Sequence, residues 1–497
     1  MRADLEFLAS PPVDGRASLT QGADAAAWFL ATELRKAGVQ PGDGSSYLQR
    51  FDLVPLRLDR DRSSVVVRHA GDAQRFTPVA VFFPDPTREV DLTLDVVFAG
   101  YGITAPEHGY DDYAGVDVRG KAVLVFDHEP QEDDPGSAFH GTGFTLHANA
   151  WTKTWTAQQH GAAALLVVTE PVNAHRSAAR PPDRANAPAQ ALARSELRIP
   201  RITLPADAAT ALLKGTDRMP ADWQRAIDRE MRPASRPLDG VAVTLQAVNA
   251  THRVQASSNV AGLLPGTDPD LRHETILVTS HYDHLGSQSG QLYPGANDNG
   301  SGTVAMVEVA RLLAGERLAR SVLFVSFGSE EQLMLGSYHY VAHPLRPLAT
   351  TRAVLNLDMI GRNEEHTPES VGAYEITAGR SDQLNLVGAA YSPDLAALLQ
   401  RESTASGLTL SDKFDRDSSM RTLFRCDHLP FLQKGIPAAW LFGGFHPGYH
   451  EPVDTIDRLD FDKMERVVRL TVDAVRALAS PAPPPSFRYP ASARMLP

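Results

Sequence analysis

The stretch ETILVTSHYD (274–283) predicts a buried β-strand that runs directly into a histidine and an aspartate. Two later stretches have the same form. RSVLFVSFGSEE (320–331) ends in two glutamates, and TRAVLNLDMIGR (351–362) has an aspartate directly after its apolar run. Near-continuous apolar runs of strand length are typical of strands covered on both faces, as in parallel sheets. These runs therefore predict an α/β fold.

The remaining segments divide the chain into four parts. GSGTVAMVEVARLLAGE (300–316) is predicted to be a helix between two of the strands, and an amphipathic helix is predicted within DAAAWFLATELRKAGVQPGDG (24–44). Short β-rich runs separated by turn residues follow from about residue 55, and the α/β pattern begins near residue 239. The Pro-rich end is predicted to be an irregular tail on the surface. The predicted boundaries are 1–54, 55–238, 239–480 and 481–497.

Composition excludes several classes of protein. The 497 residues carry a formal charge of −12 and a single cysteine, so the fold has no internal disulfide and depends on a buried core or on bound metal. An acidic chain repels phosphate backbones, which argues against a nucleic-acid partner. No apolar run is long enough to span a bilayer. Asp4 and Glu6 interrupt the region where a signal peptide would be apolar, so we expect no export signal in this chain.

Histidines and carboxylates follow the predicted strands at their carboxyl ends. The carboxyl ends of strands in open α/β sheets line the ligand crevice, so these side chains should converge. The candidates are His281, Asp283, Asp298, Glu330, Glu331, Asp358 and His450. Imidazole and carboxylate ligands without thiolates suit Zn²⁺ and argue against a structural Cys-type zinc site. The sequence thus predicts a zinc site at this edge of the sheet.

The number of candidate ligands exceeds what one tetrahedral ion takes. Five ligands with one bridging carboxylate would instead hold two ions about 3.5–4 Å apart, as in two-metal hydrolases. Residues i and i+2 of a strand share a side, so Asp283 could accept a hydrogen bond from the far nitrogen of His281. Adjacent Glu330 and Glu331 cannot both point the same way in extended chain. One of them can bind metal while the other stays free as a base.

Five blocks resemble, in order, the di-zinc aminopeptidases of metallopeptidase clan MH. They are HYDHLG (281–286), PGANDNGSG (294–302), GSEEQLMLGS (328–337), NLDMIGR (356–362) and GYHEPVDT (448–455). The segment 97–126 resembles the protease-associated (PA) domain inserted in many members. The resemblance implies a mixed, mainly parallel sheet sandwiched by helices, with a β-rich PA domain within 55–238. Residues 1–54 would then belong to the same catalytic domain as 239–480.

The resemblance also implies a role for each candidate residue. One zinc ion would be held by His281 and Asp358, the other by Glu331 and His450, and Asp298 would bridge both. Glu330 matches the family's general base and Asp283 its outer carboxylate. The family's bridging aspartate is commonly followed by a cis peptide bond, which we expect here between Asp298 and Asn299.

The implied activity is metal-dependent hydrolysis of N-terminal residues from peptides, through water bound to two Zn²⁺ ions with Glu330 as the base. The family resemblance favours a periplasmic or extracellular protein with peptide substrates. In RCDHLPF (425–431), Cys426 stands where many members have Ser. Asp427 and His428 of the same stretch are either an ordinary loop pair or contacts to the substrate, with His428 as a donor to the oxyanion.

Two other functions remain open. A zinc carboxypeptidase of the glutamate carboxypeptidase type would need positive groups for the substrate carboxylate, and Arg416, Arg421 and Arg425 could supply them. A non-catalytic, receptor-like binding protein on the same fold would have lost ligands, and none of the five is lost. The histidines outside the matched positions are expected to be structural or exposed: His284, His339, His343 and His446.

Overall fold

The computed structural model describes residues 1–172, 189–367, 370, 375–416 and 420–490. These residues form two compact units. Unit 1 combines Met1–Phe51 with Gln255–Pro490, and unit 2 lies between them in the chain, from Asp52 to Val254. The first 51 residues therefore fold together with the second half of the sequence.

The described residues contain 11 α-helices and 22 strands. The helices are α1 Arg2–Leu8, α2 Gln21–Lys36, α3 Ala150–Gln159, α4 Ala206–Leu212, α5 Pro220–Glu230, α6 Gly302–Leu313, α7 Leu335–Ala342, α8 Pro393–Ser406, α9 Lys413–Arg416, α10 Leu429–Gln433 and α11 Phe461–Leu478. The strands up to the end of unit 2 are β1 Gln40–Pro41, β2 Leu48–Leu56, β3 Ser64–His69, β4 Asp72–Phe76, β5 Ala80–Phe82, β6 Val90–Phe98, β7 Thr104–Ala105, β8 Tyr110–Asp111, β9 Ala122–Phe126, β10 Ala164–Val168, β11 Ala189–Leu192, β12 Arg201–Leu204 and β13 Arg236–Ala247. The later strands are β14 Gln255–Leu264, β15 Thr275–His281, β16 Gly286–Gln288, β17 Gln291–Tyr293, β18 Ser321–Phe327, β19 Thr351–Asp358, β20 Gln383–Val387, β21 Thr409–Ser411 and β22 Ala438–Phe442.

The central sheet of unit 1 includes seven strands in the order β14-β18-β15-β19-β22-β20-β21. The pairs β18–β15, β15–β19, β19–β22 and β20–β21 are parallel, whereas β14–β18 and β22–β20 are antiparallel. Every residue of β15 and β18 is buried, which explains their near-continuous apolar sequence. The predicted mixed, mainly parallel sheet is confirmed.

Helices cover both faces of this sheet. On one face, Ile276 and Val278 of β15 belong to the same buried cluster as residues of α2, α6, α8 and α11. On the other face, the ring of Phe327 at the end of β18 lies 6.0 Å from Tyr340 of α7 and 6.2 Å from Phe431 of α10. Burial of apolar side chains from both faces is the main stabilising contribution to such a three-layer core.

Unit 2 has its own eight-stranded mixed sheet, in the order β4-β3-β13-β6-β9-β10-β12-β5. Its pairs β6–β9, β9–β10 and β10–β12 are parallel. Two buried clusters, one including Leu124 and Leu166 and the other Val123 and Leu165, flank this sheet because alternate residues of a strand face opposite sides. Unit 2 therefore has an independent hydrophobic core.

Two further expectations concern the Pro-rich tail and the absence of a membrane-spanning segment. Residues 481–490 contain no helix or strand, and residues 491–497 of the predicted tail lie outside the described residues. Of the helices listed above, none is both long and apolar enough to cross a membrane.

Candidate metal centre

Four of the candidate side chains stand at the carboxyl ends of three adjacent strands. His281 is the last residue of β15 and Asp358 the last residue of β19, while Glu330 and Glu331 follow β18 after a short turn. Because these three strands are parallel neighbours, their carboxyl ends meet at one edge of the sheet. The shared edge brings the side chains together, although they are up to 77 positions apart in the sequence.

Asp298 reaches the same edge from the loop that precedes α6. The peptide bond between Asp298 and Asn299 is cis, as expected from the resemblance. The carboxylate of Asp454 is buried and accepts the backbone N–H groups of Asn297 and Asp298, each at 3.0 Å. Asp454 lies in the same GYHEPVDT block as His450, but no role for it was predicted from the sequence. Its anchoring of the Asp298 loop is a function that only backbone geometry reveals.

A first group of ligand atoms consists of His281, Asp298 and Asp358, all buried. The Nε2 atom of His281 lies 3.4 Å from Oδ1 of Asp298 and 3.4 Å from Oδ1 of Asp358. Two ligands held about 2.0–2.1 Å from a tetrahedral zinc ion stand about 3.3–3.4 Å apart. The spacing of these three atoms therefore fits one zinc ion.

A second group consists of His284, Asp298, Glu331 and His450. The Nε2 atom of His450 is 2.9 Å from Oδ2 of Asp298 and 3.1 Å from Oε2 of Glu331. His284 was expected to be structural or exposed rather than a ligand; its ring is buried, and its Nδ1 lies 2.7 Å from Oε1 of Glu331. Asp298 belongs to both groups through different oxygens.

Two observations favour cations at this edge. The Nε2 of His281 and the Oδ1 of Asp358 are buried and have no hydrogen-bond partner among the described residues. Buried polar atoms without partners are uncommon and suggest a missing ion or water. Burial, which alone would lower the pKa of His450, is outweighed by Glu331 and Asp298, and its pKa rises to about 9. The residues thus fit zinc in ligand type, spacing and charge.

Glu330 points into a cavity beside the two groups. The cavity is lined by Asp298, Glu330, Asp358, Met359, Arg425, Trp440, Phe445, Tyr449 and His450. Burial raises the pKa of the Glu330 carboxyl well above its usual value, and although His281 opposes this, Asp427, Glu331 and Asp358 raise it further. The side chains of the two adjacent glutamates have different surroundings, since Glu331 lies in the second group and Glu330 lines the cavity.

Asp283 has a different partner from the one expected. The Nδ1 of His281 donates to the backbone carbonyl of Asp283 at 3.1 Å, whereas the Asp283 carboxylate is 3.8 Å from that nitrogen. That carboxylate instead accepts the backbone N–H of Glu330 at 2.9 Å and of Glu331 at 3.3 Å. The expected hydrogen bond between the carboxylate and His281 is not formed, because the Nδ1 of His281 donates to the backbone carbonyl instead. Asp283 positions the turn that carries both glutamates.

Cys426 contacts Asp358 directly. Its Sγ lies 2.9 Å from Oδ2 of Asp358 and accepts a hydrogen bond from Asn356 at 2.9 Å. Burial raises the pKa of the Cys426 thiol well above its usual value, so the thiol stays protonated and donates a hydrogen bond to Asp358. Since Oδ2 is held in this way, Oδ1 of Asp358 is directed toward His281.

Asp427 and His428 are both buried, and neither lines the described cavity. Asp427 accepts a hydrogen bond from the hydroxyl of Ser337 at 2.6 Å, and burial raises its pKa to about 8. The His428 ring packs 5.7 Å from that of Trp440, and burial lowers its pKa to about 3. A neutral, buried imidazole packed against another ring is typical of a structural loop residue. A direct contact of either side chain with substrate stays a prediction.

A protein-family model matches the part of the chain that carries these residues. Residues 259–475 match peptidase family M28. The aminopeptidase YwaD of Bacillus subtilis (strain 168) is 32% identical over 252 residues, which cover 48% of this chain and 49% of that protein. A probable lipoprotein aminopeptidase, LpqL, of Mycobacterium tuberculosis is 25% identical over 258 residues, covering 48% of this chain and 47% of that protein. The chain spans about half the length of these curated relatives.

Solved structures also resemble the chain. A zinc aminopeptidase from Bacillus subtilis aligns with 97% of this chain and 94% of its own, with 20% sequence identity and a TM-score of 0.47.

Proposed function

We propose that the chain is a zinc-dependent aminopeptidase that uses two zinc ions to remove residues from the N-termini of peptides, in accord with the match of residues 259–475 to peptidase family M28. The observation that carries the proposal is the sharing of Asp298 between two groups of ligand atoms. Its Oδ1 lies beside His281 and its Oδ2 beside His450. A carboxylate between two ligand groups is the arrangement that a pair of metal ions needs.

The first ion would be held by His281, Asp358 and Asp298, and the second by Glu331, His450 and Asp298. When bound, zinc polarises the carbonyl to be attacked and makes water acidic enough to react near neutral pH. His284 contacts Glu331 at 2.7 Å and would fix the orientation of that carboxylate. Zinc is preferred to magnesium or calcium because two imidazoles are present, and hard cations prefer oxygen ligands alone.

Glu330 would act as the general base. Its carboxylate lines the cavity next to Asp298 and Asp358, within reach of a water molecule that attacks a peptide carbonyl placed there. The carboxylate accepts a proton from that water as the new C–O bond forms. It then delivers the proton to the leaving amine as the C–N bond breaks. A carboxyl group whose pKa is raised above its usual value is suited to both transfers near neutral pH.

The walls of the cavity suggest which N-terminal residue is removed. Met359, Trp440, Phe445 and Tyr449 supply apolar or aromatic surface beside the carboxylates. An apolar side chain would be buried against this surface, while the surrounding carboxylates attract the α-ammonium group of a free N-terminus. We therefore propose peptides with an apolar first residue as the preferred substrates.

One observation supports the carboxypeptidase alternative. Arg425 lines the same cavity as Glu330, where a guanidinium could pair with a substrate carboxylate. Its guanidinium lies 5.5 Å from the ring centroid of Phe445. By contrast, Arg416 is exposed and pairs with Asp412 at 3.1 Å. A receptor-like binding protein is disfavoured because all five expected ligand residues are present.

The two units and the location of the protein are also proposals. We propose that unit 2 carries a PA domain, on the resemblance of segment 97–126, and that unit 1 forms the catalytic domain. The expected boundary near residue 239 lies instead after Val254, because β13 pairs within the sheet of unit 2. A periplasmic or extracellular location is proposed from the family resemblance. The lipoprotein named among the relatives is in accord with that location.

The proposal is tested with three matched substrates that share a leucine-containing sequence: a leucyl anilide, an N-acetylated peptide and a C-terminally amidated peptide. We expect cleavage of the anilide and the amidated peptide, no cleavage of the acetylated one, and loss of all activity when a chelator removes zinc. Cleavage of the acetylated peptide alone would replace the aminopeptidase by a carboxypeptidase. Full activity after complete removal of the metal would exclude both.

A further inference from the structure

Arg16 is a completely buried arginine that none of the assignments above uses. It ends the short turn Pro11–Arg16 of the N-terminal segment. Its Nε donates to the carbonyl of Tyr282 at 2.7 Å, its Nη1 to the carbonyl of Pro294 at 2.7 Å, and its Nη2 to the carbonyl of Gly295 at 2.8 Å. A further bond from Nη1 reaches the carbonyl of Leu8. The planar guanidinium therefore joins three separate pieces of backbone.

Two of those pieces carry candidate metal ligands. Tyr282 stands between His281 and Asp283, and Gly295 lies three residues before the bridging Asp298. The connection runs both ways, because the backbone N–H of His284 donates to the carbonyl of Arg16 at 3.2 Å. Arg16 thus fixes the end of β15 relative to the loop that brings Asp298 to the first group.

Gly15, next to Arg16, makes this close approach possible. It adopts φ +61°, and a Cβ atom there would lie 2.4 Å from the carbonyl oxygen of Tyr293 and 2.9 Å from the Cα of Gly286. No side chain fits in that space, so the backbone of DGR (14–16) packs directly on the two strands of the β16–β17 hairpin.

The charge of Arg16 complements the carboxylates without occupying them. Burial lowers the pKa of Arg16 to about 10, and Asp454, Asp298, Asp283 and Glu331 oppose that change, so the guanidinium is charged at neutral pH. The four hydrogen bonds that its guanidinium donates, described above, all go to carbonyl oxygens. A cation that paired with a ligand carboxylate would compete with zinc, whereas one bound to backbone carbonyls leaves the carboxylate oxygens available.

We propose that Arg16 is a positioning residue of the metal centre, which ties the His281 strand end to the Asp298 loop and thereby sets the distance between the two ligands of the first ion. This inference rests on the proposed two-zinc function. It assigns to the N-terminal segment a part in metal binding, although that segment supplies no ligand.

The test measures zinc affinity by equilibrium competition with a chromophoric chelator, on folded protein well below its melting temperature. The variants are Arg16→Met, which removes the charge and all four bonds, and Arg16→Lys, which keeps the charge but has a shorter, non-planar donor group. Arg320→Met is the matched control. Arg320 is also buried and also donates to backbone carbonyls, those of Leu478 and Ser480, but it contacts no candidate ligand.

We expect Arg16→Met to weaken zinc binding about 10- to 100-fold, the loss typical of a residue that orients metal ligands. Arg16→Lys should lie between Arg16→Met and the unchanged protein, and Arg320→Met should lower the melting temperature without changing zinc affinity. If Arg16→Met does not fold, Arg16→Lys alone decides, since the proposal requires a measurable loss there too.

Unchanged zinc affinity in Arg16→Lys would overturn the inference, and so would an equal loss in Arg320→Met. A failure of the proposed function looks different: the unchanged protein itself would then bind fewer than two zinc ions. In that case both the two-zinc function and the positioning role of Arg16, which rests on it, are refuted.

Discussion

The carboxylate of Asp283 lies 2.9 Å from the backbone nitrogen of Glu330 and accepts its hydrogen bond. The same carboxylate also accepts the N–H of Glu331. One side chain at the end of β15 therefore holds the turn after β18, and with it both the proposed base and one proposed ligand. A change at Asp283 is therefore expected to affect both metal binding and catalysis.

Asp283→Asn is expected to reduce both zinc affinity and kcat/KM. The amide side chain keeps one acceptor oxygen but presents an N–H₂ group to the second backbone N–H, so the turn must shift. Loss of such an outer contact typically costs 10- to 100-fold in metal affinity or activity. Zinc competition and steady-state kinetics measure the two effects. An unchanged zinc affinity would mean that Asp283 does not position the turn.

Glu330→Gln is expected to separate catalysis from metal binding. Glutamine is nearly isosteric but cannot accept a proton, so kcat should fall about 10²- to 10⁴-fold, the contribution of a positioned general base. Zinc content should remain that of the unchanged protein, because Glu330 is not a proposed ligand. A variant that keeps most of its activity would assign the base to another residue.

Removal of zinc is expected to lower stability as well as activity. Without cations, the carboxylates Asp298, Glu330, Glu331 and Asp358 are buried close together and repel one another. An ion present at 1,000 times its Kd stabilises the folded state by about 4 kcal/mol. Thermal unfolding with chelator and after zinc is restored measures this contribution. Identical melting temperatures would argue against occupied sites.

Phe445→Ala is expected to weaken selection of the N-terminal residue. The Phe445 ring lines the cavity and lies 5.4 Å from that of Tyr449. Loss of apolar contact in a specificity pocket changes discrimination by about 10-fold or more. The measured quantity is the ratio of kcat/KM for leucyl and alanyl anilides, which cancels any general loss of activity. A constant ratio would place the side-chain pocket elsewhere.

Glu274→Gln is expected to destabilise unit 1 in a pH-dependent way. The carboxylate of Glu274 lies 2.5 Å from Arg320 and 2.6 Å from Arg352. Burial, which alone would raise the pKa of Glu274, is outweighed by these two guanidinium groups, so its pKa is lower than the usual 4.5. A carboxyl group with a lowered pKa stabilises the folded state above its unfolded pKa, and this stability is lost as the pH falls.

We therefore expect Glu274→Gln to reduce the free energy of unfolding by about 1.5–3 kcal/mol at pH 7. The difference from the unchanged protein should shrink as the pH falls below about 4.5. Chemical denaturation at several pH values measures it. A difference that is the same at pH 3 and pH 7 would contradict an ionic contribution.

Much of the metal centre could be predicted because, in a parallel sheet, the carboxyl ends of neighbouring strands lie at the same edge. Three apolar runs that end in His281, in Glu330 and Glu331, and in Asp358 must meet at one edge once the sheet is parallel. Strand geometry does not account for the two adjacent glutamates, because they lie in the short 3-10 turn Glu330–Gln332 beyond the end of β18. The spacing of apolar residues and the position of each charged residue after its apolar run can both be read from a single sequence.

The residues that were missed act through the backbone. Asp454 and Arg16 bind amide or carbonyl groups, and any residue type can supply such a partner, so no sequence pattern marks it. Asp283 was a candidate from the sequence, but its amide partners were not predicted for the same reason. The contact of His284 with Glu331 could not be predicted for a related reason. Whether a histidine three positions after His281 turns into or away from the centre depends on the turn after β15, which the residue types do not determine.

The separation of Arg16 from its partners also bears on how the protein is made. Arg16 and Gly295 are 279 positions apart in the sequence. At a synthesis rate of about 5–20 residues per second, the ribosome needs roughly 14–56 s to produce the intervening chain. During that interval the apolar face of α2 has no sheet to pack against. The nascent N-terminal segment is thus a candidate for chaperone binding, and its docking is a late event that awaits the second half of the polypeptide.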